Sequence, residues 1–88
     1  MRTKYVVGEL PSGMGTTLGA VVFPEYVSHD HMARVFAPGE DNLVSAGFFY
    51  VQDGVVQPYG ESTSLRLSSR EIDAVLIAKA IGLHERSR

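Results

Sequence analysis

The dipeptide Asp53-Gly54 constrains this chain more than any other feature. Within Asn42–Arg66 it separates two apolar runs rich in β-branched and aromatic residues. Asp-Gly is a preferred pair for the two positive φ angles of a type I′ turn, so the segment 42–66 reads as a β-hairpin with Asp53 and Gly54 as its whole loop. That register sets Phe48 opposite Tyr59, Gly47 opposite Gly60 and Ser45 opposite Ser62. Alternation then sorts the side chains. Val44, Ala46, Phe48, Tyr50, Val55, Tyr59, Leu65 and Leu67 make the expected core face. Ser45, Gly47, Phe49, Val51, Val56, Gly60, Ser62, Ser64 and Arg66 make the other, with a floor of small or hydroxylated residues at its centre.

Upstream, Lys4–Leu10 and Leu18–Phe23 read as two strands that pair across a wide, Gly-rich loop, and Pro24 stops the second. Ser28 is suited to cap a short helix, with Asp30 in its first turn and Val27 and Met32 as a hydrophobic staple. Met32, Val35 and Phe36 form its expected inward stripe, and Pro38-Gly39 its stop. Glu40, Asp41 and Asn42 then make a polar turn. A second helix over 72–81 follows the capping-box spacing of Ser68 and Glu71 and ends at Gly82. Ile77, Ile81, Ala74 and Ala78 occupy one side of it. Ile72, Val75 and Leu76 occupy much of the other, with Lys79 among them.

The expected fold is therefore α+β: a two-layer, mainly antiparallel β-sheet with both helices on one face, in the order β-β-α-β-β-α. The chain of 88 residues forms one small domain, with 83–88 as a flexible tail. One sheet face cannot cover both sides of the last helix, so a homodimer through residues 72–81 is expected.

Composition narrows the function. A net charge of −2 offers no basic face for nucleic acid. Tyr26, Phe49 and Tyr50 lack the basic groove that a base-stacking platform needs. With no cysteine there is neither a disulfide framework nor a thiolate site. The apolar run near the N-terminus is too short for a signal peptide or a membrane span, which makes cytoplasm the default location.

Three motifs come close to known chemistry and stop short. Gly8 to Thr16 has P-loop glycine spacing, yet Met14 stands where the lysine belongs and a strand follows instead of a helix. Gly60-Glu61-Ser62-Thr63-Ser64 approaches a nucleophile elbow but lacks its final glycine and a following helix. His29-Asp30-His31 is rich in titratable groups. On a helix its histidines point roughly 200° apart and cannot share an ion, and the third, His84, is distant in sequence. No cofactor or metal is expected.

The candidate ligand site is Ser45, Gly47, Glu61, Ser62 and His29, with Arg66 beside Glu61 at the rim. The chain reads as a binding or interaction domain for a partner protein or a small ligand. One alternative is a small enzyme using histidine with Glu61 or serine in general acid–base work. The other is a subunit of a larger assembly.

Overall fold

The computed structural model describes residues 2–36 and 42–83. The stop at Pro38-Gly39, the turn at Glu40 and Asp41, the Phe36 side chain and His84 lie outside the described residues. The fold is α+β, with two helices and a mostly antiparallel sheet. In chain order the elements are β1 (Thr3–Ser12), β2 (Gly15–Pro24), α1 (His29–Phe36), β3 (Leu43–Gln52), β4 (Val55–Tyr59), β5 (Glu61–Ser62), β6 (Leu67–Ser68) and α2 (Asp73–Ile81). The main sheet runs β2-β1-β3-β4, and β5 and β6 form a separate two-stranded ribbon.

The Asp53-Gly54 hairpin has the register its turn dictates. Phe48 pairs with Tyr59, Tyr50 with Gln57 and Gln52 with Val55. Asp53 and Gly54 carry φ of 54° and 79°, the conformation of a type I′ turn. The ladder ends at Phe48 and Tyr59, because Gly60, at φ 77°, turns the chain off the sheet. The expected Gly47–Gly60 and Ser45–Ser62 pairs therefore do not form.

The first hairpin is tighter than a wide loop. Its strands continue to the Ser12–Gly15 pair, leaving Gly13 and Met14 as the connection, with Gly13 at φ 54°. Pro11 is tolerated within β1 because it lies past the last β1–β3 pair, Gly8 with Leu43. On that side there is no ladder for its missing N–H to interrupt.

Both faces of the sheet are covered, in place of the single covered face expected. The run Tyr5-Val6-Val7 is fully buried on both sides of the pleat. Tyr5 and Val7 join Ala20, Val22, Phe49 and Val56 under Ile77 and Ala78 of α2. Val6 joins Phe23, Ala46 and Leu43 under Val27 and Met32 at α1, together with Leu65 and Leu67 from the ribbon. The helices thus take opposite faces. A strand apolar on both sides needs a cover on each. The hairpin's core assignment changes accordingly: Phe49 and Val56 are buried, whereas Tyr50 and Tyr59 stay partly in solvent.

Helix α1 begins as its cap requires, with Ser28 Oγ accepting from the His31 N–H at 3.0 Å. Its inward positions are His29, Met32 and Ala33, and Val35 points to solvent. A buried polar residue at the first inward position shifts the helix phase from the one its apolar residues suggest.

Helix α2 starts later than the Ser68–Glu71 spacing implies. Ile72 precedes it with no side-chain cap, and the Asp73 carboxylate instead accepts from the Arg70 N–H at 2.9 Å. Gly82, at φ 73°, closes the helix, and the Leu83 N–H reaches the Ala78 carbonyl at 2.9 Å. The side bearing Ala74, Ile77 and Ala78 packs on the sheet. Ile72 and Val75 on the other side remain 65% and 60% exposed.

A fully buried carboxylate anchors this helix. Asp73 accepts from Tyr5 Oη at 2.5 Å and from Arg70 Nε and Nη2 at 3.0 and 2.8 Å, in addition to the Arg70 backbone. Burial and then the bond to Asp73 push the Tyr5 phenol well above its ordinary value, so it remains a donor. Breaking a buried pair strands the remaining polar groups. Asp73→Asn should lower unfolding free energy by about 3 kcal/mol and Tyr5→Phe by roughly 1–2 kcal/mol, measured by urea denaturation.

Candidate functional site

The residues expected to form one site divide among three places. Ser45 and Gly47 point to the α2 face of the sheet, since β3 pairs Ser45 with Val7 and Gly47 with Tyr5. His29 lies on the α1 face, buried between Phe23 and Phe48 at ring-centroid distances of 5.4 and 5.5 Å. Its Nε2–H donates to the Gly47 carbonyl at 2.9 Å, which joins His29 to Gly47. Glu61 and Ser62 sit together in the β5–β6 ribbon, Glu61 exposed and Ser62 buried.

The small-residue floor is occupied by the chain itself. A Cβ on Gly47 would lie 2.7 Å from the Tyr59 carbonyl oxygen and 3.1 Å from Ser69 Cβ. Glycine is needed here because the chain returning from β4 passes directly over it. Beside it, Ser45 is fully buried, and its Oγ has no partner among the described residues.

His29 is held neutral. Burial lowers its pKa below the ordinary 6.5, and the nearby Lys4 charge acts in the same direction against the opposing bond to Gly47. Lys4 itself is fixed, with Nζ donating to the Val27 carbonyl at 2.7 Å. Neither a carboxylate nor a serine hydroxyl hydrogen-bonds His29 among the described residues. The imidazole fastens α1 to the centre of the sheet.

Glu61 and Ser62 line a depression of about 350 Å³ with Thr63, Arg66, Leu67 and Ser68. Ser62 Oγ accepts from the Leu65 N–H at 3.3 Å and shapes the turn that carries Arg66. A second, apolar depression of about 250 Å³ lies between β2 and α2, lined by Leu18, Arg70, Ile72, Val75 and Leu76. Beside it β2 forms an outer strand of the sheet, and no charged residue occurs from Gly15 to Pro24. Among the described residues no helix is long and apolar enough to cross a membrane, and no three His, Asp or Glu side chains gather as metal ligands.

Asp73 and its partners Tyr5 and Arg70 are absent from the sequence-based site, although a signal exists. Asp73 lies four residues before Ile77 on the docking side of an apolar helix, where a carboxylate requires a donor. The four hydrogen bonds it accepts give it an anchoring role.

Compared with known families, curated proteins and solved structures, the chain matches none.

Two outcomes follow from the burial of these groups. Because the folded His29 pKa is depressed, the unfolded chain takes up the proton first as pH falls below 6.5, and stability drops until the folded pKa is passed. His29→Gln should remove this slope, at most about 1.4 kcal/mol per pH unit, in melts across mildly acidic pH. Ser45→Ala should leave stability unchanged or higher in the same assay, because it deletes an unpartnered buried hydroxyl.

Proposed function

We propose that this chain is a non-catalytic interaction domain that works as a homodimer in the cytoplasm, pairing through the outer side of α2 and the free edge of β2. The observation carrying this reading is the exposure of Ile72 and Val75 on a helix that is firmly docked by its other side. Leu18, 40% exposed, extends the same apolar surface onto β2.

The adjoining edge strengthens it. Long outer strands usually carry charge, proline or a bulge that discourages pairing. In β2 there is none before Pro24, its last residue. Antiparallel pairing of β2 with itself about a twofold axis satisfies the free backbone groups of both copies and brings the two α2 surfaces together. An uncharged strand is its own complement, which favours a second copy over a partner recognised by charge. The cysteine-free composition suits a reducing compartment.

Catalysis by His29 has less support, because its Nε2 is engaged by a backbone carbonyl between two aromatic rings. In the dimer reading the protein acts by presenting a composite surface to a partner protein or a small ligand.

Sedimentation equilibrium from low micromolar to millimolar concentration tests this reading. Wild type should dimerise, and Val75→Asp should raise the dimer Kd at least about tenfold, roughly 1.4 kcal/mol, with an unchanged circular dichroism spectrum. A wild-type monomer at millimolar concentration would refute it.

A further inference from the structure

We infer that the depression in the β5–β6 ribbon binds a small zwitterion, with the ammonium and carboxylate of a free α-amino acid held between Glu61 and Arg66. Both residues line the same space of about 350 Å³, which lies within the size range of small-molecule sites. The ion pairs among the described residues are Arg2–Glu25, Arg34–Asp30 and Arg70–Asp73. Glu61 and Arg66 therefore pair neither with each other nor with any of these groups.

The composition of the lining selects the ligand class. A phosphate or simple carboxylate would meet repulsion from Glu61, and a metal ion or plain amine would meet it from Arg66. A molecule carrying an ammonium and a carboxylate on one carbon offers a partner to each of the two side chains. The guanidinium offers paired donors to the carboxylate, and Glu61 accepts from the ammonium. The Thr63 and Ser68 hydroxyls supply further polar partners, and Leu67 adds an apolar wall for a side chain.

The backbone at Arg66 supplies an independent reason. Arg66 has φ 58°, a left-handed conformation that glycine or asparagine adopts more easily. The other non-glycine residue with positive φ among the described residues is Asp53, which the type I′ turn explains. At Arg66 the turn is closed by its own N–H to the Thr63 carbonyl at 3.3 Å. Glycine would make the same bond with less strain. The Arg66 side chain takes part in none of the hydrogen bonds or ion pairs among the described residues, so no polar contact within the fold explains arginine there. A ligand contact accounts for it.

This site uses no residue of the proposed dimer surface, so the two readings stand or fall separately. The test is a ¹H–¹⁵N NMR titration of the full chain with L-leucine and L-serine, alongside propionate and propylamine as single-charge controls. At least one amino acid should produce saturable shifts confined to residues 61–68 with a Kd of about 1 mM, and each control should bind at least about tenfold more weakly. Arg66→Gly and Arg66→Asn should abolish these shifts while leaving the melting temperature equal or higher, a combination that loss of folding cannot produce. The absence of saturable shifts for both amino acids at tens of millimolar overturns the assignment. So does an Arg66→Gly Kd within about twofold of wild type.

Discussion

The Asp73 carboxylate is the interaction on which the rest of the arrangement depends. It is fully buried, and it takes hydrogen bonds from Tyr5 at the centre of β1 and from both the backbone and side chain of Arg70. Charged acceptors of this kind cannot be left without partners in an apolar interior. The pairing fixes α2 in rotation as well as position, because Asp73 and Ile77 lie one turn apart on the same side. Once that side is committed to the sheet, Ile72 and Val75 point outward. The exposure of Ile72 and Val75 is thus a consequence of where one carboxylate finds its donors.

A parallel device holds the opposite face. His29 takes an inward position on α1 and donates to the Gly47 carbonyl, between Phe23 and Phe48. Lys4 ties the segment before the helix to β1 through the Val27 carbonyl. Each helix is therefore located by one polar group directed into the sheet, and apolar packing fills the space around it. In a domain this small, where apolar burial is limited, a few directional bonds decide how the helices sit.

Much of this was legible from local chemistry. Asp53-Gly54 fixed the turn and with it the β3–β4 register, Ser28 marked the start of α1, and Gly82 marked the end of α2. What local patterns do not carry is tertiary demand. The apolar run at Tyr5 to Val7 already required cover on both faces, but a β-β-α-β-β-α order allows both helices on one side. The hairpin floor resembled a cleft until the chain beyond Gly60 folded back over Gly47, and its path is set by a glycine φ angle that no periodicity reveals. The candidate site split for the same reason: Ser45 and Ser62 face each other only if the ladder continues past Tyr59. Glu61, Ser62 and Arg66 stayed together because a short turn holds them, and short-range geometry is what sequence reads best.

The proposed dimer covers the outer edge of β2 with a second copy. Amide hydrogen exchange across Gly15–Phe23, followed as a function of protein concentration, addresses that directly. Outward-facing β2 amides should gain protection as concentration rises, together with amides near Ile72 and Val75, while amides paired with β1 stay constant. Identical β2 protection from micromolar to millimolar concentration would contradict the account.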